Sequence, residues 1–335
     1  MNKVAISTWF VSDDSQQSTF FPQIGAKSDA PEAKKIYWQC VLCFFASSVV
    51  VNREYPHFFF TNSELPTIDG VDVAEALRQW KVGVVHLPIT FRLPLGRVKN
   101  WGNQFYIFDI ISHLAKSDGH TSYIVLDSDC LWMRPVGDLE DAINRYGVLT
   151  YQLDEKPEVP INGLSPEGMA RFLRQLGGET RDSIPYFGGE IFAATADELH
   201  KLAAQVARSW SNVLASDQDT PKEEAHLLSA LYALNNYQVG TANPFLKRLW
   251  TTFKHRNFEV DDLNLTIWHL PAEKKFGFRD LFSKLRKGNG DYRDPASLGF
   301  RPDLYASTMG IPHRNARKFL RDGASKVWER IAVRS

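Results

Sequence analysis

The chain has 335 residues, of which 44% are hydrophobic and 23% charged, a composition that excludes disordered and collagen-like proteins. Lysine and arginine together number 39, as do aspartate and glutamate, so no overall charge favours nucleic acid as a partner. The length predicts one main domain with an extension, and a shift in composition near Thr251 divides the chain into residues 1–250 and a C-terminal region over 251–335.

The most apolar segment, residues 36–51, is shorter than the roughly 20 residues that a membrane-spanning helix needs, so we expect a buried helix. Within it, Cys40 and Cys43 form a CxxC pair without the second pair that a zinc site would require, and we expect buried thiols. Residues 1–7 pass directly into a strand-like run, without the long apolar segment of a secretory signal. These features predict a cytoplasmic protein.

Short runs of β-branched and aromatic residues alternate with helix-length segments along the chain. The predicted strands are 4–9, 58–61, 82–87, 123–126 and 148–151. The predicted helices are 32–51, 71–80, 103–116, 138–146, 165–177, 195–214 and 220–235. This alternation predicts an α/β fold with a mostly parallel sheet flanked by helices, and ligands at the carboxyl ends of the strands.

The strand-like run that ends at Leu126 is followed by two carboxylates one residue apart, Asp127 and Asp129. A turn at Ser128 would aim both side chains at one point, and unpaired charges at a buried strand end require a cation. Mg²⁺ and Mn²⁺ prefer oxygen ligands and often complete their coordination with substrate phosphates. The pair therefore indicates a divalent metal and a diphosphate-bearing substrate. The alternative is an exposed turn with two solvated acids.

Far downstream, an apolar run ends at His269, and Lys275 follows six residues later. An imidazole combined with two carboxylates suits Mn²⁺, and a lysine could neutralise a phosphate as a point charge. A lone histidine at a strand end is more often a hydrogen-bonded structural residue. We nevertheless predict a metal site of Asp127, Asp129 and His269, with Lys275 beside the phosphates.

Two further segments carry residues with a chemical role. Gly188 and Gly189 interrupt an aromatic, strand-like run, which permits close approach of a ligand to the backbone or marks a β-bulge. Glu223 and Glu224 stand in the first turn of the predicted helix 220–235, where acids also complement the helix dipole.

In this order, the segments resemble the GT-A-fold glycosyltransferases that use nucleotide sugars, especially the retaining families of blood-group-transferase and glycogenin type. The resemblance implies a GT-A-like, Rossmann-like domain in which Asp127 and Asp129 hold Mn²⁺ or Mg²⁺ on the donor diphosphate. His269 and Lys275 resemble the third metal ligand and the following lysine of the glycogenin-like families.

Residues 223–227 resemble the acidic element of blood-group-type enzymes, whose second acid lies beneath the donor sugar. The resemblance makes Glu224 the nucleophile or the residue that stabilises positive charge on the sugar. Glu190, or the pair Asp217 and Asp219, is the alternative for this catalytic role. Retention of the anomeric configuration is implied by the resemblance alone.

The N-terminal strand resembles the strand with which this family grips the nucleotide base, with Ile6 and Trp9 at base-contacting positions. The helix before the acidic pair begins near Gln104 and lacks the arginine usual there, whereas Arg97 lies just upstream. The predicted donor-binding residues are Ile6, Ser7, Thr8, Trp9, Arg97, Gln104, Asp127, Ser128, Gly188, Gly189 and Lys275.

The resemblance implies a hexosyltransferase that moves a sugar from a nucleotide-diphosphate donor, expected to be a UDP-sugar, to a glycan or lipid-linked glycan in bacterial-type surface polysaccharide assembly. One alternative is a metal-dependent phosphohydrolase with Asp127 as nucleophile and Asp129 as acid, although that motif usually opens the first strand of its domain. The other is a non-catalytic protein that binds nucleotide sugars or carbohydrate. The donor sugar and base, the identity of the nucleophile, the acceptor and the oligomeric state stay open.

The C-terminal residues 313–335 are locally basic and have helical spacing. We expect either a solvated helix or a peripheral contact with the inner face of a membrane or with a lipid-linked acceptor. The basic residues available for such a contact are Arg314, Arg317, Lys318, Arg321 and Lys326.

Overall fold

The computed structural model describes residues 4–116, 122–216, 219–253, 255–314, 316 and 318–323. Its strands are β1 (Val4–Phe10), β2 (Phe20–Phe21), β3 (Ala26–Lys27), β4 (His57–Thr61), β5 (Thr67–Ile68), β6 (Val71–Asp72), β7 (Val82–His86), β8 (Ser122–Leu126), β9 (Cys130–Trp132), β10 (Val148–Leu153), β11 (Tyr186–Thr195), β12 (Gly240–Thr241), β13 (Leu246–Arg248) and β14 (Ile267–His269). Its α-helices are α1 (Pro31–Val51), α2 (Val73–Gln79), α3 (Tyr106–Leu114), α4 (Asp138–Tyr146), α5 (Pro166–Gln175), α6 (Ala196–Ala215), α7 (Glu224–Leu234), α8 (Gly277–Leu285) and α9 (Pro302–Met309). Short 3₁₀ helices lie at Val260–Asn264, Pro271–Glu273 and Arg286–Gly288.

A seven-stranded sheet in the order β12-β10-β11-β8-β1-β4-β7 forms the centre of the fold. Strands β8, β1, β4 and β7 are parallel neighbours, whereas β11 runs antiparallel to both β8 and β10. The predicted α/β class with a mostly parallel sheet is therefore confirmed. Because parallel strands end at the same edge, the residues that follow β1 and β8 lie side by side.

Alternate side chains of the central strands enter two different cores, as the two-residue period of a strand requires. Ile124 and Leu126 pack with α1, α2 and α8 on one face, and Val125 packs with α3, α5, α6 and α7 on the other. The sheet is thus covered by helices on both faces, and its strand ends are left for a ligand.

Helix α1 is the central helix of one of these cores. It is long and apolar enough to cross a membrane by length and composition, and 72% of its most apolar window is buried inside the protein. Cys40 and Cys43 are free thiols, and both are buried in this helix. The predicted buried helix and the predicted core thiols are both confirmed.

A second, three-stranded sheet in the order β13-β14-β9 joins the C-terminal region to the segment that follows β8. In it, His269 on β14 lies opposite Cys130 on β9. The apolar side chains of α8 and α9 belong to the same core as α1. Residues on both sides of the boundary predicted near residue 250 share this core. The division into two regions stays a prediction.

Candidate functional site

The two carboxylates after β8 are held in a tight turn at the edge of the central sheet. The backbone N–H of Asp127 donates to the carbonyl of Glu190 on β11 (3.1 Å), and that of Cys130 donates to the carbonyl of Asp127 (3.3 Å). Asp129 is almost fully buried, whereas about 30% of the Asp127 side chain is exposed. The turn therefore keeps both acids at the strand end, with Asp127 facing the open side.

His269 reaches the same point from the second sheet. Its strand pairs with β9, and the N–H of Leu270 donates to the carbonyl of Asp129 (3.0 Å), which fixes the end of β14 beside the turn. Nε2 of His269 lies 3.2 Å from Asp129 Oδ2 and 3.7 Å from Asp127 Oδ2. One ligand atom from each of the three residues lies within 4.8 Å of the others.

The donor set fits a divalent cation such as Mn²⁺ or Mg²⁺. Burial, and then the neighbouring charge of Asp129, raise the pKa of Asp127, so this carboxylate lacks sufficient positive charge nearby. Two carboxylates and an imidazole are ligands that Mn²⁺ accepts, and Asp127 leaves an open side for substrate oxygens. Asp127, Asp129 and His269 are thus the residues that would hold the ion.

A buried lysine is part of this centre. Nζ of Lys274 forms an ion pair with Asp129 Oδ2 and lies 5.6 Å from the centre of the Tyr37 ring. Burial opposes ionisation of Asp129, but Lys274 and His269 outweigh it and lower the pKa of Asp129 below its ordinary value. Lys275, the lysine predicted beside the phosphates, is exposed and does not line the cavity. Of these two neighbouring lysines, Lys274 is the one that lines the cavity.

A second cation lies on the opposite side of His269. Arg248, at the end of β13, forms an ion pair with Glu190, whose side chain is buried. Glu190 Oε1 also lies 4.0 Å from His269 Nδ1. Glu190, the alternative catalytic carboxylate, is therefore held by Arg248 beside the metal ligands.

Glu223 and Glu224 face this centre from the start of α7. Burial raises the pKa of Glu223 to about 7, although hydrogen bonds from Tyr186 Oη (2.5 Å) and Asn162 Nδ2 (2.6 Å) oppose the rise. Burial, and then the charges of Glu223 and Asp127, raise the pKa of Glu224 well above its ordinary value. Glu224 is thus a buried carboxyl whose charged form is disfavoured by burial and by two neighbouring acids.

The two predicted glycines make room for the carboxyl groups. A Cβ at Gly189 would overlap Glu224 Oε1, and a Cβ at Gly188 would overlap Glu190 Oε2. In β11 the register with β10 shifts at this point, which is the β-bulge that the sequence offered as an alternative. Gly189 lines the cavity, and Gly188 does not.

Most of these groups line one cavity of about 230 Å³. Asp127, Ser128, Asp129, Glu190, Glu224 and His269, predicted from the sequence as metal, donor or catalytic residues, line it together. Trp9 and Gln104 line its β1 side. The chain therefore brings two distant sequence segments, around residues 127 and 269, into one site.

The remaining predicted donor-binding residues lie elsewhere in the fold. Ile6 is a core residue, and the hydroxyls of Ser7 and Thr8 donate to the carbonyls of Ile124 and Leu126 (both 2.8 Å), so they fasten β1 to β8. Arg97 donates to the carbonyl of Leu214 (2.8 Å) at the end of α6. These four residues do not line the cavity.

Of the alternative acidic pair, Asp217 and Asp219, the structure describes Asp219. Asp219 forms a two-point ion pair with Arg171 (2.7 and 2.8 Å) and does not line the cavity. Asp217, its predicted companion, lies outside the described residues.

Several cavity residues escaped the sequence analysis. Trp101, whose backbone has a φ of +49°, is one of three tryptophans at the cavity, together with Trp9 and Trp250. A positive φ is rare for an aromatic residue and often marks a functional site. Other residues missed include Tyr37, Asn162, Arg248 and Lys274. Only the pairing of β13, β14 and β9 reveals Arg248 and Trp250, because they lie in a segment without a local motif.

No family profile matches the sequence, and no curated protein matches it in sequence. The fold is similar to two solved structures of the galactosyltransferase LgtC, one an active-site mutant and one a complex with donor and acceptor sugar analogues. The mutant is 11% identical with a TM-score of 0.46, and 79% of this chain matches 86% of it. The complex is 12% identical with a TM-score of 0.48, and 85% of this chain matches 95% of it. The fold is also similar to mouse xyloside xylosyltransferase 1 in its apo form, at 10% identity and a TM-score of 0.43, over 79% of this chain and 96% of that one. At TM-scores below 0.5 we base function on the residues of the cavity alone.

Proposed function

We propose that this chain is a metal-dependent glycosyltransferase that moves a sugar from a nucleotide-diphosphate donor to a glycan or lipid-linked acceptor. The observation that carries the proposal is the grouping of Asp127, Asp129 and His269 within 4.8 Å at a cavity that also contains the buried carboxyl of Glu224. A metal site alone would suit many reactions. Glycosyl chemistry also uses a carboxyl group close to the sugar, and the buried carboxyl of Glu224 lines the same cavity.

The charges of the cavity support a diphosphate as ligand. A bound divalent cation would act as a Lewis acid on the diphosphate and favour its departure. Lys274 adds a fixed positive charge at Asp129, and Arg248 adds another at Glu190. These side chains would stabilise the negative charge that develops on the leaving group.

Glu224 supports the sugar half of the reaction. Positive charge that develops on the sugar ring favours the ionised form of a nearby carboxyl, so Glu224 is suited to stabilise that charge or to act as nucleophile. Glu224 is buried, with 6% of its surface exposed. We propose retention of configuration, with Glu224 in this role and Glu190 held away from the sugar by Arg248.

The test is a measurement of UDP release from UDP-glucose and UDP-galactose with Mn²⁺, with and without EDTA. We expect release that EDTA abolishes and that Asp127→Asn and Glu224→Gln each lower at least a hundredfold. NMR of the product anomer then distinguishes retention from inversion. Phosphate release from simple phosphomonoesters, with none from UDP-sugars, would favour a phosphohydrolase instead. Donor binding without any turnover would favour a non-catalytic binding protein.

The donor base, the acceptor class and a cytoplasmic location at the membrane face belong to the same proposal. Of the basic tail residues, Lys318 and Arg321 form ion pairs with Glu273 (2.5 and 3.1 Å), and Arg314 lies 3.3 Å from Asp322. Arg317 and Lys326 lie outside the described residues. A membrane contact would therefore depend on other residues of 313–335. Flotation with phosphatidylglycerol vesicles at low salt tests it, and absence of binding would remove it.

A further inference from the structure

A tight turn formed by Asn162 and Gly163 lies at the mouth of the cavity. Both residues have positive φ values, +47° and +95°, and the flanking Ile161 and Leu164 exchange two backbone hydrogen bonds (3.1 and 3.2 Å). An Asn-Gly pair is the preferred sequence for such a turn. The backbone at the tip of this loop is therefore fixed by the turn and its two hydrogen bonds.

Two residues at the start of α7 hold this turn by hydrogen bonds. Nε2 of His226 donates to the carbonyl of Ile161 (2.9 Å), and Nδ2 of Asn162 donates to Glu223 Oε2 (2.6 Å). Because His226 accepts from the N–H of Lys222 at Nδ1 (3.1 Å), its donor is fixed at Nε2. The turn is thus tied to the same helix start that carries Glu224.

The hydrogen bond to Glu223 sets the direction of the Asn162 amide. Because Nδ2 of Asn162 donates to Glu223 Oε2 (2.6 Å), the carbonyl oxygen Oδ1 of the same amide faces the other way. Of the described residues, none donates a hydrogen bond to Oδ1, and Asn162 lines the cavity. The turn therefore presents an unused acceptor at the cavity mouth.

The position of Asn162 along the sheet indicates which part of a donor it would meet. Trp9 and Gln104 line the cavity on the β1 side of Asp127, whereas Glu223 bonds Tyr186 on β11, on the opposite side. A nucleotide sugar whose diphosphate lies at Asp127 and whose base lies toward β1 would extend its sugar toward β11. A sugar hydroxyl is a hydrogen-bond donor that matches Oδ1.

We infer that Asn162 binds a hydroxyl of the donor sugar and that Glu223 is the positioning residue that aims its amide. This assignment rests on the proposed function, since it needs a nucleotide sugar in the cavity. The free nucleotide diphosphate lacks the sugar, so it should be bound without help from Asn162. The inference predicts a loss confined to the sugar-bearing ligand.

The chain contains a matched control for a substitution in this turn. Asn289 and Gly290 have φ values of +47° and +91°, nearly those of the turn at 162, and Asn289 is exposed and does not line the cavity. Asn162→Gly and Asn289→Gly both keep a residue that tolerates positive φ. They therefore have the same backbone effect, and only Asn162→Gly removes a side chain at the cavity together with its hydrogen bond to Glu223.

The experiment is calorimetric titration of UDP, UDP-glucose and UDP-galactose with Mn²⁺ at pH 8, where Glu223 is ionised. We expect Asn162→Gly to weaken the better of the two UDP-sugars about tenfold and to change UDP less than twofold, whereas Asn289→Gly changes neither. Glu223→Gln keeps one oxygen for two donors and should weaken the UDP-sugar severalfold. Combined with Asn162→Gly, it should add no further loss if Glu223 acts through Asn162.

Two results would overturn the inference while leaving the proposed function intact. One is an equal loss of UDP and UDP-sugar affinity in Asn162→Gly, and the other is no loss of either. Additive losses in the double variant would refute the positioning role of Glu223 alone. A wild-type chain that binds none of the three ligands would instead overturn the proposed function, and the inference with it.

Discussion

Lys274 and Asp129 form an ion pair in which both side chains are almost completely buried, with 7% and 1% of their surfaces exposed. Burial lowers the pKa of Lys274, but Asp129, Tyr37 and Asp127 outweigh it and raise the pKa above its ordinary value. The pair is therefore charged, and the metal ligand Asp129 already has one fixed cation beside it.

The two neighbouring lysines provide the first prediction. Lys274→Met leaves the Asp129 carboxylate buried without its main partner, so we expect unfolding free energy to fall by about 3 kcal/mol and UDP release to fall at least a hundredfold. Lys275→Met removes an exposed charge that does not line the cavity, and we expect less than a twofold change in rate. Urea unfolding and UDP release from both variants check this. A larger effect at Lys275 would restore the role that the sequence alone suggested for it.

The two glycines of β11 offer a second prediction, because each one makes room for a different carboxyl group. Gly189→Ala forces the Glu224 carboxyl to move, and since that group ends a flexible side chain we expect the fold to persist. We predict a fall in kcat of about a hundredfold with little change in donor affinity. Gly188→Ala displaces Glu190 instead and should have a smaller effect on kcat.

Steady-state kinetics of both alanine variants, with thermal unfolding as the control for folding, decide between the two carboxyls. A larger loss of kcat in Gly188→Ala would transfer the catalytic role from Glu224 to Glu190. Equal losses would show that the bulge as a whole, rather than either carboxyl, sets the rate.

Local patterns predicted much of the central sheet. The runs at 58–61 and 123–126 correspond to β4 and β8, each with one extra residue at the start. They were predictable because enrichment in β-branched and aromatic residues is a property of the segment itself. The antiparallel direction of β11 could not be predicted, since strand order depends on packing between distant segments. The same limit applies to β13 and β9, which are three residues long.

The site residues were predictable where they lie at the end of a predicted strand or directly after it. Asp127, Asp129 and His269 met that condition, and the structure brings them together. Lys274 and Lys275 directly follow the 3₁₀ helix Pro271–Glu273, and spacing alone cannot show which of the two lysines turns inward. Asn162 lies in a turn whose sequence signals only the turn.

The C-terminal segment provides a third prediction, which concerns stability. Nζ of Lys318 lies 2.5 Å from Glu273 and 2.8 Å from Asp322, and the lysine is almost fully buried. We expect Lys318→Met to lower the free energy of unfolding by about 3 kcal/mol because Glu273 loses a buried partner. Lys287→Met, at an exposed lysine of the 3₁₀ helix Arg286–Gly288, should change it by less than about 0.5 kcal/mol.

Urea unfolding without lipid is the measurement for both lysine variants. If Lys318→Met has the stability of the wild type, then the basic tail is not held by Glu273, and its lysine is available for a membrane contact. Loss of stability without lipid would assign Lys318 to the fold.

The last prediction concerns acid stability and follows from two histidines that are buried in the neutral form. Burial lowers the pKa of His226 to about 4, and it does the same for His57, whose Nε2 lies 2.8 Å from Ser48 Oγ. The unfolded chain takes up these protons near pH 6.5, whereas the folded chain resists until about pH 4. Stability is therefore complete above pH 6.5 and is lost as the pH falls toward 4, by up to about 3 kcal/mol per histidine.

His226→Gln retains a donor and an acceptor but does not titrate. Urea unfolding between pH 4 and 7.5 should show that the stability of this variant declines less steeply than that of the wild type, by up to about 1.4 kcal/mol per pH unit. Parallel curves for the two proteins would mean that His226 has the same pKa in the folded and the unfolded chain, and a protonated His226 could no longer accept at Nδ1 from the N–H of Lys222.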